Sequence, residues 1–242
     1  MVLKSGIDNN LNLGDIGNFD LPEVDLSFFD IVNEDFNEEN RYIKPKVLPF
    51  KEEFVLYENA AKLAKDLRLD NKERFDVFVS GGFIFGDFIE AYITTHNAKC
   101  RKMTISTLSL NQNNVDSLNT LLTLGYVDEL NLIVSVYFYA NEVRSLIPYI
   151  YEKLDTDNKF QLAVADTHTK TAQFETIGGR KIVIHGSANL RSSGNIEQFT
   201  IEENPELYHF YDEHLNHIVK KYATIRKPIR GNDAWNTLTK KK

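Results

Sequence analysis

The sequence predicts an α/β protein: a mostly parallel sheet with helices on both faces, ending in a β-hairpin, a strand and a C-terminal helix. Three observations predict it. Between residues 75 and 165, apolar runs of strand length alternate with stretches of helical period. Those runs are almost continuously apolar, as strands covered on both faces are. After residue 170 the alternation gives way to two short runs joined by Gly178-Gly179, the signature of a hairpin.

The elements follow in order. Phe54, Leu56, Ala60, Leu63, Ala64 and Leu67 recur at helical spacing, which predicts a helix over 50–69. Residues 75–80 read as a buried strand, followed by Ser80-Gly81-Gly82 and a helix over 85–95. A strand over 101–108 leads to a helix over 113–124, closed by Gly125 in a left-handed conformation. The apolar stretch 130–139 predicts a third strand, 142–154 a helix, and 160–165 a fourth strand. Segments 171–177 and 180–185 form the hairpin, 196–202 a further strand, and Pro205 opens a helix that runs to about residue 222.

The formal net charge of −7 conceals a polarity along the chain. Residues 1–40 hold ten acids and one base, and residues 218–242 hold eight bases and one acid. Three parts are therefore expected: an acidic N-terminal segment 1–45, a folded domain 46–224 and a basic tail 225–242. Pro45 and Pro49 mark the first boundary. The acidic segment carries Phe28 and Phe29 among its carboxylates, which suits wrapping on the body, covering the basic surface or docking a partner protein. Arg226, Lys227, Arg230 and Trp235 give the tail the ingredients for gripping a nucleic-acid backbone. A single cysteine, Cys100, excludes an intramolecular disulfide. With no signal-like start and no apolar run near ~20 residues, a cytoplasmic protein with no membrane partner is expected.

The chemistry concentrates in Asp166-Thr167-His168-Thr169-Lys170 and in His185-Gly186-Ser187-Ala188-Asn189, followed by Asn195, Glu197 and Gln198. His168 and Lys170 are two apart on an extended segment and share a face. The hairpin returns Ser187 and Asn189 to the same level. An imidazole, an ammonium, a hydroxyl and an amide then converge. Lys170 offers a point charge to non-bridging phosphate oxygens, Ser187 and Asn189 offer neutral donors, and His168 titrates nearest neutrality. Glu197, on the next strand, is the candidate to set the imidazole's tautomer. His185, at the end of the hairpin, either packs or backs the site. Ser80-Gly81-Gly82 is either a tight turn or a phosphate rest at a helix start. His209, His214 and His217 are spaced five and three apart, which does not suit a metal pair on a helix.

This pattern resembles the HKD motif of the phospholipase D superfamily, H-x-K-x4-D followed by G-S-x-N. His168, Lys170, Gly186, Ser187 and Asn189 match it, Glu197 follows downstream, and Glu175 stands at the Asp position. The resemblance spans roughly residues 50–224 and implies a phospholipase D-like fold. It further implies a metal-independent phosphodiesterase, of nuclease type, that uses no cofactor and passes through a phosphohistidine. Members use two such motifs, so one motif per chain implies a homodimer with a shared site. Nucleic acid, DNA or RNA, is then the expected substrate. The alternative is a non-catalytic nucleic-acid or phosphate-binding module on the same fold, which Glu175 and the acidic segment keep open. Glu175 is expected to pair across the hairpin with Arg180 or Lys181.

Overall fold

The computed structural model describes residues 56–57, 59–69, 73–79, 83–191 and 194–224, all within a compact unit spanning residues 44–242. The acidic segment, Pro45 and Pro49, Ser80-Gly81-Gly82 and the tail beyond residue 224 lie outside the described residues. Among the described residues, no helix is long and apolar enough to cross a membrane.

Among the described residues, eight strands form one sheet: β1 (Leu56–Tyr57), β2 (Arg74–Val79), β3 (Cys100–Thr107), β4 (Val127–Ser135), β5 (Phe160–Ala165), β6 (Thr171–Thr176), β7 (Lys181–Gly186) and β8 (Glu197–Glu203). Their order across the sheet is β1-β2-β8-β7-β6-β3-β4-β5. The pairs β1/β2, β3/β4 and β4/β5 are parallel, and the four pairs between β2 and β3 are antiparallel. Six strands therefore point one way, and only β6 and β8 run against them. The hairpin and the last strand enter the middle of the sheet, between the two parallel halves.

The helices are α1 (Ala60–Asp66), α2 (Phe85–Thr95), α3 (Gln112–Thr123), α4 (Val136–Glu142), α5 (Leu146–Leu154) and α6 (Pro205–Tyr222). Alternation along the strands sorts the core into two faces. Leu162 and Val164 of β5, with Ile182 and Ile184 of β7, join the large cluster that includes Leu63, Phe88, Leu118 and Ile150 of α1, α2, α3 and α5. Their neighbours Ala163, Ala165 and Val183 face the other way, where α6 packs Leu207, Tyr208, Leu215 and Ile218 on them. Helices thus cover both faces, as the apolar strands require.

Two expectations are corrected. Among the described residues, the helix expected over 50–69 covers Ala60–Asp66: Asn59 caps it by accepting from the Lys62 amide at 2.9 Å, and Leu56–Tyr57 pair with β2 instead. The strand expected over 130–139 ends at Ser135, whose hydroxyl accepts from the Phe138 amide at 3.0 Å and starts α4. The apolar run Val136-Tyr-Phe-Tyr139 carries no turn signal, so the capping serine was the only mark of the change. Gly125 (φ 69°) has the left-handed conformation expected of it, and Gly179 (φ 84°) turns the hairpin.

Under α6 the sheet carries polar side chains near β7. His185 stacks on Tyr211 with ring centroids 5.9 Å apart, and its Nε2 lies 3.5 Å from the Glu202 carboxylate. Asn204 donates to the same carboxylate at 3.0 Å. On β2, Asp76 accepts from Arg74 at 3.0 Å and from the Thr200 hydroxyl. Burial pushes both carboxyls up, but the hydrogen bonds and cationic neighbours outweigh it and hold Asp76 and Glu202 below their ordinary values of 3.8 and 4.5. A carboxyl lowered in the folded state stabilises it fully above the unfolded pKa, and that stabilisation is lost as pH falls through the folded one. The stabilisation should begin to be lost below pH 4.5 for Glu202 and below pH 3.8 for Asp76. Arg74→Met, which removes the cationic donor to Asp76 and leaves the Thr200 hydroxyl, should move the midpoint of acid unfolding upward, read by circular dichroism across pH 2–6; an unchanged midpoint would show that Arg74 is not what holds Asp76 down.

Candidate active site

The sheet topology decides what meets at one edge. β5 ends there, β6 begins there, β7 ends there and β8 begins there. Residues 166–170 connect β5 to β6, and β3 and β4 stand between those strands. Three strand spacings amount to about 14 Å sideways. The six Cα steps from Ala165 to Thr171 can reach at most roughly 20 Å, so the connection is drawn out across the strand ends and holds His168 exposed above the edge.

Lys170 continues the hairpin ladder by one rung, its carbonyl accepting from the Gly186 amide at 3.2 Å. Its ammonium lies 3.1 Å from His168 Nδ1 and 3.2 Å from the His168 carbonyl oxygen. Burial lowers the Lys170 pKa from its ordinary 10.5, and the charge of nearby Glu197 opposes that shift without cancelling it.

The next strand brings Ser187. Its amide donates to the Gln198 carbonyl at 2.9 Å, and its hydroxyl accepts from the Gln198 amide at 3.0 Å. The same hydroxyl donates to the Glu197 carboxylate. Glu197 is thus bonded to Ser187, and the group found at His168 Nδ1 is the Lys170 ammonium. With Nδ1 accepting from Lys170, a neutral His168 carries its proton on Nε2. The side-chain Oδ1 of Asn189 accepts from the Leu108 amide at 3.2 Å, so the other end of that side chain is the NH2 donor. Four of the five expected residues, Lys170, Ser187, Asn189 and Glu197, therefore stand on or beside adjoining strand ends, with His168 directly above Lys170.

The other candidates separate from this group. Glu175 lies five residues along β6 from Lys170, about 17 Å away. It faces Lys102 and Lys181 across the sheet in register. The Arg180 guanidinium binds Glu203 at 2.6 Å. The Lys181 ammonium meets His209 Nε2 at 2.8 Å. His185 packs on the α6 face, with Tyr211 and Glu202. Cys100 is buried, and burial pushes its thiol up to about 12, so it is no competing nucleophile.

Sequence reasoning missed Ser106, Thr167 and Thr169. The Ser106 hydroxyl lies 2.7 Å from that of Thr169, which lies 2.9 Å from that of Thr167. The only signal was a threonine on each side of His168. Nothing in the strand 101–108 marked Ser106.

Gly186 makes the apposition possible. A Cβ there would stand 2.2 Å from the Gln198 carbonyl oxygen and 2.6 Å from the Phe199 Cα. Both are backbone atoms of β8, so no side-chain rotation relieves the clash. Phe199 itself is fully buried, 5.0 Å from the Phe88 ring centroid and 5.2 Å from that of Phe85.

No family profile and no curated protein sequence matches the chain. Among solved structures, it is similar to the phospholipase D family member Nuc of Salmonella typhimurium, at 16% identity over 54% of this chain and 85% of that one, with a TM-score of 0.41. It is similar to NucT of Helicobacter pylori at 15% identity over 63% of this chain and 100% of that one, with a TM-score of 0.47. It is also similar to the phosphatidylserine synthase of Haemophilus influenzae at 17% identity over 72% of this chain and 46% of that one, with a TM-score of 0.49.

Gly186→Ala should destabilise the protein by about 1–3 kcal/mol through forced overpacking, seen as a lower urea midpoint. Gly178→Ala is the control, because its nearest neighbour, the Thr176 hydroxyl, is 3.8 Å from the added Cβ. Equal stability of the two variants would refute the close-approach argument.

Proposed function

We propose that the protein is a metal-independent phosphodiesterase, acting on nucleic acid as a nuclease through a phosphohistidine. The observation that carries the reading is the meeting of His168 with Lys170 at 3.1 Å, one strand from the Ser187–Glu197 pair. The apparatus suits a phosphodiester better than a carboxylic ester. Its donors, an ammonium and an amide NH2, suit negative charge that is spread over several oxygens.

The steps follow from the hydrogen bonds. Non-bridging phosphate oxygens draw the Lys170 ammonium away from His168 Nδ1. Nδ1 can then hold the proton, and the Nε2 lone pair attacks phosphorus. The P–O bond to the leaving oxygen breaks, and that oxygen takes a proton from a second imidazole. Water then attacks the phosphohistidine; the second imidazole accepts its proton and His168 is released. The NH2 of Asn189 holds a phosphoryl oxygen, and Ser187, donating to Glu197 and accepting from the Gln198 amide, ties the adjoining strand ends together. Tyr137, exposed at the start of α4 just past the end of β4, offers a stacking surface at the same edge, which suits a nucleobase.

A second imidazole is needed, and the chain has one such motif. A two-fold dimer supplies it, with the two exposed His168 side chains facing each other across the axis. Glu175 does not weigh against catalysis, because its distance along β6 removes it from the reacting groups.

With labelled single- and double-stranded DNA and RNA in EDTA, the protein should cleave at least one substrate. His168→Ala should lose at least about a thousandfold in rate, and Lys170→Ala about a hundredfold or more, with the fold retained. Binding without cleavage, unaffected by His168→Ala, would favour the non-catalytic module. Sedimentation equilibrium at micromolar concentration should give a dimer; a fully active monomer would remove the shared site.

A further inference from the structure

His168 is an exposed residue on a drawn-out connection, yet a reacting imidazole must be held in one orientation. The order of the chain there is Thr167, His168, Thr169 and Lys170. In an extended segment, alternate side chains share a face. Thr167 and Thr169 therefore point one way, and His168 and Lys170 the other. The structure bears this out on both sides. The two threonine hydroxyls lie 2.9 Å apart, and the Thr169 amide donates to the Thr167 hydroxyl at 3.2 Å. On the opposite side, the Lys170 ammonium meets His168 Nδ1.

The threonine side is tied to the sheet. The hydroxyl of Ser106, which is 1% exposed near the end of β3, lies 2.7 Å from the Thr169 hydroxyl. It also donates to the Thr169 carbonyl at 3.4 Å. At the β5 end, the Thr167 amide donates to the Ala165 carbonyl at 2.9 Å. The connection crosses the ends of β4 and β3 before entering β6, so Ser106 grips it two residues short of β6.

We propose that Thr169, anchored by Ser106, is the positioning residue for His168: the hydroxyl chain Ser106–Thr169–Thr167 staples the two neighbours of the histidine to β3 and turns its imidazole toward Lys170 and Ser187. The catalytic consequence rests on the phosphodiesterase reading; the orientation itself does not. Without the staple the connection keeps its ends but gains rotation about residues 167–169. The cost then falls on the rate of attack rather than on binding, because Lys170, Ser187 and Asn189 remain on or beside their strands.

The test compares Thr169→Val, which removes the hydroxyl at nearly constant shape, with Thr169→Ser, which keeps it. Thr169 is exposed, so neither change endangers the fold, and melting temperatures verify this. Steady-state rates on a single-stranded oligonucleotide should show kcat for Thr169→Val reduced by about ten- to a hundredfold, as displacement of a reacting group by a fraction of an ångström to one ångström does. KM should stay within about twofold of wild type, and Thr169→Ser should keep most of kcat. A purely structural role would not divide kcat from KM, nor be rescued by serine. In parallel, long-range 1H–15N spectra, with the His168 ring assigned through His168→Gln, should show that ring's signals shifted or broadened in Thr169→Val and unchanged in Thr169→Ser. Ring signals in Thr169→Val identical to wild type would overturn the proposal, whatever the rates. If the wild type cleaves nothing, the phosphodiesterase reading falls, and the ring signals still decide the staple.

Discussion

The close approach of β7 and β8 at Gly186 is the constraint on which the site depends. Antiparallel strands stand about 4.8 Å apart, and at this rung the backbone of β8 occupies the space that any side chain on residue 186 would need. The approach lets Ser187 exchange bonds with both backbone groups of Gln198 and brings its hydroxyl to Glu197. It also seats Phe199 opposite Gly186, in the aromatic group with Phe83, Phe85 and Phe88. The apolar side of β8 is thereby fixed by packing while its leading end presents Glu197. The β7–β8 side of the site is backed by that aromatic packing.

The β5–β6 side is held differently. There the chain is drawn across two strand ends, and side-chain hydroxyls rather than sheet hydrogen bonds keep its course. The two halves of the site thus have different supports: a ladder with an aromatic core behind Ser187 and Glu197, and hydroxyl bonds behind His168. Lys170 joins them, being the last residue of the connection and the first rung of the hairpin. Its burial lowers its pKa while Glu197 pulls the other way, so its charge is held by the same carboxylate that orients Ser187.

The opposite face of β7 carries a second polar group, His185 with Glu202, Asn204 and Tyr211. His185 itself turns to Tyr211 of α6 and Glu202 of β8. Its place under α6 resolves the two roles open to it in the sequence in favour of packing. Glu175 sits on that face too: burial first, then the charges of Asp212 and Glu175, push the Tyr208 hydroxyl up. Glu175 belongs to the layer beneath α6, away from the strand ends that carry Lys170 and Ser187.

Much of this was legible in the residues. Alternating apolar runs fixed the α/β class, because strands covered on both faces must be apolar throughout. H-x-K and G-S-x-N on either side of a hairpin located the edge, because a hairpin returns to its own starting level. What a linear reading could not supply was any quantity set by contacts between distant segments. The insertion of β6, β7 and β8 between two parallel halves, the end of the third strand at Ser135, the Glu197–Ser187 bond and the grip of Ser106 on Thr169 all depend on which strands lie side by side. Local periodicity carries no record of that. The sequence by itself determined which chemical groups are available and the order in which they come. Only the tertiary structure decided which of them share an edge, because strand order is chosen by the packing of two sheet faces and not by any one strand's own residues.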